Sequence, residues 1–161
     1  MVLKFLLSVP ALLYAILISM LPFGELRIGI PLAAAAGVNL WSAFLMCTFA
    51  NVIMIPLIFL FLDTLHNFLM KIRLYERLFK KVIHRVRKKV TKYVEKWGYI
   101  GLLIFVSIPL PGSGAWTGVL GAWLFGMERN KSMIAVAGGV LIAGILVSLA
   151  MAGIITGVNS F

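Results

Sequence analysis

An uncharged segment that is broken at its centre places the strongest constraint on how this chain folds. No charged side chain occurs in the 30 residues from Gly98 to Met127, yet two prolines and three glycines interrupt them in PLPGSGAWTG, residues 109–118. The arms Gly98–Ile108 and Ala115–Met127, of 11 and 13 residues, would extend about 16 and 20 Å as helices. Neither arm alone crosses about 30 Å of hydrocarbon. The segment is therefore either one kinked span or a re-entrant hairpin.

The composition indicates a bilayer as the solvent. Apolar residues make up 62% of the 161-residue chain, and its mean hydropathy is +1.07, values that a soluble domain of this size rarely reaches. The only cysteine, Cys47, excludes a disulfide framework and a multi-cysteine metal site. We predict an all-α integral membrane protein with full spans at Val2–Leu21, Asn39–Leu62 and Ser132–Phe161.

Positive charge is concentrated in the middle of the chain. Eleven of the 15 Lys and Arg residues lie between Lys71 and Lys96, and positive loops favour the cytoplasmic side. Apolar residues recur there every three or four positions, so residues 63–97 are predicted to form a long amphipathic helix on anionic membrane lipid. This pattern indicates a multi-pass protein of the plasma membrane, with the basic segment cytoplasmic, and no nucleic acid partner. The histidines, His66 and His84, are predicted to lie on the surface.

A second Pro/Gly break, in Leu21–Gly37, has the same construction as the first. Shifting the sequence by 89 positions superposes five identical residues in 17. Leu21 and Pro22 fall on Leu110 and Pro111, and Gly29, Ala33 and Gly37 fall on Gly118, Ala122 and Gly126. The chain is therefore divided into a first repeat (1–62, break near 21–25), the basic helix (63–97) and a second repeat (98–161, break near 109–114).

The charges around the second repeat set its direction. Arg129 and Lys131 favour the cytoplasm, where Lys96 already lies. If both ends of Gly98–Met127 are cytoplasmic, this segment must turn back inside the membrane. The last span of the first repeat then runs inward and that of the second runs outward. Inverted repeats with broken helices are the common plan of secondary transporters, whose site lies where the breaks meet. Lys4 favours a cytoplasmic N-terminus, whereas strict inverted symmetry puts Met1 outside.

The breaks predict an anion site. Helices that begin after Gly24 and at Ala115, with Ser113 near the cap, would point their N–H groups and positive dipole ends at a shared wet pocket. Intramembrane charges need a partner or water; Arg27 suits a phosphate or carboxylate, and Glu25 suits a coupling proton or sodium ion. Since residues two apart on a helix point about 200° apart, we expect these two not to neutralise each other well. The predicted substrate and ion site comprises Glu25, Arg27, Pro31, Pro109, Pro111, Gly112, Ser113, Gly114, Trp116 and Thr117.

A simpler interpretation stays open at each feature. The Pro and Gly residues at 109–114 would then only kink a packed transmembrane helix. Likewise, Glu25 and Arg27 would be ordinary charges flanking a span that ends at Leu21.

The segments FGELRIGIPLAAAAGV (Phe23–Val38) and PLPGSGAWTGVLGAWLFGM (Pro109–Met127) resemble the paired signature segments of the small multi-drug export protein family, which is similar to the DedA/VTT (SNARE-associated) superfamily. The resemblance implies an inverted-repeat fold with two re-entrant hairpins. For the wider superfamily it implies movement of phospholipids or polyprenyl phosphates, with acidic and arginine residues near the hairpins, as Glu25 and Arg27 are here. DedA-like members also carry arginines in the second hairpin, where this chain has Ser113, Ala115 and Trp116.

Three functions from different classes follow. The first is a DedA-like transporter that moves an anionic amphiphile, coupled to a proton or sodium gradient through an intramembrane Glu. The second is a small multidrug/proton exporter of lipophilic cations, and the third is a non-transporting scaffold with a lipid-binding basic helix. We expect no enzyme activity, cofactor or metal. Three spans enclose little volume, which favours a homodimer.

Overall fold

The computed structural model describes residues 2–110 and 112–158 and is all-helical over them. Seven helices follow one another in the described residues: α1 Val2–Met20, α2 Glu25–Ala35, α3 Leu40–Thr64, α4 His66–Leu69, α5 Arg73–Ser107, α6 Ala115–Leu124 and α7 Arg129–Val158. Two of them, α3 and α7, are long and apolar enough to cross a membrane. They match the second and third predicted spans to within a few residues. Residues Pro10–Met20 of α1 and helix α6 are shorter apolar helices.

The chain forms two compact units. The first comprises Met1–Val52 with Val140–Phe161, and the second comprises Ile53–Gly139. In the first unit, α2 turns back on α1: a Cβ built on Gly29 would meet the Ser19 hydroxyl and lie 2.7 Å from the Ala15 carbonyl oxygen. Only glycine permits this approach.

In the second unit, the uncharged segment returns to where it began. Helix α5 changes direction at Gly98 (φ 55°, ψ −126°), a backbone conformation that is essentially restricted to glycine. Helix α5 ends at Ser107 and α6 begins at Ala115, on either side of the predicted break near 109–114, and α6 packs back on α5. The backbone N–H of Glu128 donates to the Tyr99 hydroxyl at 3.1 Å. Both ends of the segment therefore lie together, whereas its insertion into a bilayer stays a prediction.

An ion pair joins the ends of the two long helices. Arg129 at the start of α7 contacts Asp63 near the end of α3, with 3.0 Å between Nη1 and Oδ2. The Arg129 guanidinium also lies 5.6 Å from the centre of the Phe59 ring. Helix α7 therefore starts at the level where α3 ends, which agrees with opposite directions for the two predicted spans.

The two short helices end in the same way. At the end of α2, Gly37 has a φ of 79° and donates to the Ala34 carbonyl, while Val38 donates to the Ala33 carbonyl. At the end of α6, Gly126 has a φ of 61°, and Gly126 and Met127 make the corresponding bonds to Trp123 and Ala122. These caps lie 89 positions apart, the offset found in the sequence. The repeat as a whole and its inversion in the membrane stay predictions.

The basic segment is a helix with a solvated face. All 11 of its Lys and Arg residues are exposed, whereas Val86 and Val90 are buried. A Cβ built on Gly121 of α6 would lie 2.8 Å from Val90, so α6 covers part of the apolar face. The helix starts at Arg73, after the separate short helix α4, and bends at Gly98.

The prediction that both histidines lie on the surface is wrong for His66. His84 is exposed, but His66 is only 5% exposed. Its Nδ1 lies 3.1 Å from the Tyr75 hydroxyl, and its ring lies 4.1 Å from that of Phe79 and 5.3 Å from that of Trp123. Burial lowers the pKa of His66 from its ordinary 6.5. The aromatic cluster joins α4, α5 and α6, and these tertiary contacts outweigh the polar character of histidine.

Candidate functional site

The two charged residues of the first break form a buried ion pair. Nη1 of Arg27 lies 2.6 Å from Oε2 of Glu25, and the two side chains are 13% and 8% exposed. Both residues lie in the first turn of α2, which begins at Glu25 after Gly24 without a side-chain cap. A carboxylate at this end of a helix is favoured by the helix dipole.

This ion pair corrects the expectation that Glu25 and Arg27 would not neutralise each other. The expectation assumed ideal helical directions for both side chains. Glu25, however, has a φ of 50° and is the non-glycine residue with a positive φ among the described residues. Its side chain therefore leaves the backbone in a direction that an ordinary helical residue does not take, and Arg27 can reach it. A strained backbone of this kind costs about 1–3 kcal/mol and is concentrated at functional sites.

Helix α2 is held tightly where it carries the pair. Gly29, one turn after Glu25, packs against α1, and a Cβ there would also lie 3.2 Å from the sulfur of Cys47 in α3. Pro31 lies inside α2 and is half-buried. Since proline lacks an N–H, Pro31 cannot donate to the carbonyl of Arg27, four residues earlier. Pro31 therefore interrupts the backbone hydrogen-bond ladder of α2 one turn after Arg27.

The second break brings together part of the predicted set. Helix α6 begins at Ala115 after Gly114, as predicted, and has no side-chain cap. Ser113 does not serve as the cap: its buried hydroxyl donates to the carbonyls of Ile108 (2.6 Å) and Leu110 (2.8 Å). These two bonds fix the shape of the tip, because they tie it to the end of α5.

The other predicted residues of the second break lie around this tip. The Thr117 hydroxyl donates to the Gly114 carbonyl at 3.3 Å. Pro109 is exposed and Trp116 is half-buried, while Pro111 lies outside the described residues. The two breaks belong to different compact units, so their convergence on one pocket stays a prediction.

A lysine that sequence reasoning missed lies beside the second tip. A Cβ built on Gly112, whose φ is 79°, would lie 3.1 Å from Nζ of Lys89. Lys89 also lines a cavity of about 300 Å³, together with Tyr93, Phe105, Ile108, Leu110 and Ser113. It places a cation beside the tip of the second break. Nothing in the sequence separates Lys89 from its ten basic neighbours; only the bend at Gly98 brings it to the tip.

Buried polar side chains of the first unit were missed as well. Thr48 and Asn51 in α3 are 4% and 1% exposed. The Thr48 hydroxyl, both carboxamide atoms of Asn51 and the hydroxyl of Ser148 have no hydrogen-bond partner. These residues could have been found from the sequence as polar residues inside apolar spans. Polar residues in such spans normally face the protein interior or a cavity.

The family can be assigned at this point. Residues 25–146 match the family model described as "Putative small multi-drug export protein". The chain belongs to this family. The match begins at Glu25 and includes both short helices, the basic helix and most of α7. No curated protein and no solved structure matches the chain.

Membership of the small multi-drug export protein family confirms the first part of the resemblance. Together with the two long apolar helices, it identifies a membrane protein of a family named for export. The relation to the DedA/VTT superfamily has no support among these matches and enters only the proposal that follows.

Proposed function

We propose that this protein is a membrane transporter that moves an anionic amphiphile, of the phospholipid or polyprenyl phosphate class, across the bilayer. The buried Glu25–Arg27 pair is the observation that carries the proposal. Arg27 binds the phosphate or carboxylate group of the substrate, and protonation of Glu25 releases Arg27 for this task. The transporter is of the DedA-like type in this proposal, and it acts in the plasma membrane as a homodimer.

The chemistry of the Glu25–Arg27 pair favours a substrate with a negative charge. A guanidinium stays charged under all conditions in a protein, whereas a carboxylate becomes neutral by taking up a proton. The ion pair therefore breaks most readily when Glu25 takes up a proton. Arg27 is then left with an unbalanced positive charge. An anion then restores neutrality at the site. A proton and an anionic headgroup consequently bind together. A sodium ion that binds the Glu25 carboxylate would neutralise it and release Arg27 in the same way.

The second unit contributes a surface for the same kind of ligand. Lys89 lies beside the tip that precedes α6, and the 11 exposed cations of the basic segment attract anionic lipid at the cytoplasmic face. Because α6 packs on α5, the basic helix and the predicted hairpin are one structural element. Anionic headgroups are thereby concentrated next to the hairpin tip.

Reconstitution in vesicles tests the proposal. Vesicles of phosphatidylcholine that contain headgroup-labelled phosphatidylglycerol report transfer between leaflets when an impermeant reagent quenches the outer label. We expect transfer to depend on an imposed pH gradient, and Glu25→Gln to remove that dependence. Arg27→Gln should abolish transfer.

Each variant has a matched control on the exposed surface. Glu128→Gln and Arg129→Gln change residues whose side chains are 53% and 45% exposed, and we expect transfer by both to equal that of the wild type. Transfer that persists in Arg27→Gln would contradict the anionic site. Transfer by Glu25→Gln that still follows the pH gradient would contradict the coupling role.

Export of lipophilic cations is the second candidate function, favoured by the family description. A mainly apolar cavity of about 250 Å³ in the first unit is lined by Trp41 and Phe44, and aromatic faces attract organic cations. In this case Glu25 alone would bind the cation. Resistance to cationic dyes on overexpression, lost in Glu25→Ala but retained in Arg27→Gln, would favour this function over the first.

A further inference from the structure

Asn51 is a buried polar residue whose hydrogen-bonding groups are not used by the contacts of the structure. It lies in α3, is 1% exposed, and has no hydrogen-bond partner for either the nitrogen or the oxygen of its carboxamide. Such groups are rare in proteins, because water is lost on burial without compensation. A hydrogen-bond partner that reaches Asn51 in another conformation of the protein would account for a polar residue at this buried position.

The helix register places Asn51 level with Glu25. Helices α2 and α3 are joined by the four residues Ala36–Asn39, which makes them neighbours of opposite direction. Gly29 of α2 meets Cys47 of α3. One turn back from Gly29 is Glu25, and one turn on from Cys47 is Asn51. Asn51 shares the face of α3 that carries Cys47, and Glu25 lies at the same height, one turn back along α2.

Carboxamide and carboxyl groups are complementary when the carboxyl is protonated. The amide N–H donates to the carboxyl C=O, and the carboxyl O–H donates to the amide oxygen. A carboxylate lacks the O–H and pairs better with a guanidinium, which can donate twice. Asn51 thus offers the hydrogen bonds that Glu25 needs only after it has left Arg27.

We propose that Asn51 receives the protonated carboxyl of Glu25 when Glu25 releases Arg27. Hydronium gives one proton to the Glu25 carboxylate and becomes water, so that one O–H bond breaks and one forms. The carboxyl then exchanges the guanidinium for the carboxamide. This inference rests on the coupling role of Glu25 in the proposed function. It makes Asn51 a positioning residue that stabilises the protonated state and leaves Arg27 to the anion.

Two ionisable side chains are described near Glu25 and the helices packed around it. Its own helix supplies Arg27, and α3 supplies the thiol of Cys47 near Gly29. On α1, Ala15 and Ser19 meet Gly29, and Ile18 meets Gly24; these three residues are uncharged. Protonation of Glu25 competes with its ion pair to Arg27.

Infrared titration of the purified protein in phosphatidylcholine vesicles tests the inference without transport. The C=O band of protonated Glu25 is identified as the band that Glu25→Gln removes. In Asn51→Leu we expect the midpoint of its titration to fall by about one pH unit, because loss of these hydrogen bonds reduces proton affinity about tenfold. We also expect the band to move to the frequency of a carboxyl without a hydrogen bond. Thr48→Val, which changes another buried polar residue of α3, should alter neither.

The outcomes separate this inference from the proposed function. An unchanged midpoint and band in folded Asn51→Leu would overturn the role of Asn51, even if the wild type transports lipid. A wild type that transports no labelled lipid but shows the Asn51-dependent shift would refute the proposed function alone. If Asn51→Leu does not fold, the wild-type spectrum decides: a Glu25 carboxyl that never protonates, or whose band lacks a hydrogen bond, overturns the inference.

Discussion

Removal of Arg27 should destabilise the protein mainly through the charge that it leaves behind. Arg27→Met keeps much of the apolar stem but leaves the Glu25 carboxylate, 8% exposed, without its countercharge. At 2.6 Å and an effective dielectric constant of about 20, the Coulomb attraction of the pair is about 6 kcal/mol. Desolvation of both groups offsets part of this. Measured losses on breaking buried pairs are about 3–5 kcal/mol, and we expect a loss in that range.

A double-mutant cycle isolates the pair. Unfolding by denaturant in mild detergent gives the free energies of unfolding of Arg27→Met, Glu25→Gln and the double variant. The double variant should be more stable than Arg27→Met, because no charge is left buried. For the same reason, the deficit of Arg27→Met should shrink as the pH is lowered and Glu25 becomes protonated. Arg129→Met breaks the exposed pair with Asp63 and should cost less than about 1 kcal/mol.

Two results would refute this reasoning. The first is a loss in Arg27→Met no larger than that in Arg129→Met, which would mean that water solvates the Glu25–Arg27 pair. The second is strict additivity of the two single variants, which would mean that the residues do not interact.

Three further predictions concern packing and backbone conformation within each unit. Since burial lowers the pKa of His66 below 6.5, the unfolded chain binds its proton at a higher pH than the folded chain. The free energy of unfolding should therefore fall below about pH 6.5, and less so in His66→Phe, as measured by unfolding between about pH 7 and pH 5. Gly29→Ala should cost about 1–3 kcal/mol, because its Cβ would lie 2.7 Å from a backbone oxygen of α1, whereas Gly153→Ala, with open space around it, should be neutral or slightly stabilising. Gly98→Ala should cost about 1–3 kcal/mol through its φ of 55° alone, a cost that thermal unfolding would detect.

The sequence predicted best what depends on local composition. The long apolar runs became α3 and α7, because twenty or more apolar residues have few alternatives to a buried or membrane-spanning helix. The break before Ala115 followed from proline and glycine chemistry, since these residues do not continue a helix. Gly37 and Gly126, which the 89-residue offset superposes, both have a positive φ at the end of a short helix.

The parts that escaped prediction depend on single dihedral angles and on tertiary contacts. The Glu25–Arg27 pair needed the positive φ of Glu25, which no propensity assigns to a glutamate at the start of a helix. Lys89 reaches the second tip only because the chain reverses at Gly98. The burial of His66 required aromatic partners from two other helices, and sequence spacing alone does not identify such partners.

The contact between Tyr99 and Glu128 has a consequence for biosynthesis. If both ends of a segment lie on the same side of the membrane, no polar flanking residue has to cross the bilayer during insertion. Residues 98–127 contain no charge of their own. On the proposed topology, α3 and α7 can therefore insert into the bilayer first, and residues 98–127 can insert after them. Insertion of residues 98–127 would then depend less on the order of synthesis than in a protein whose helices must insert one after another.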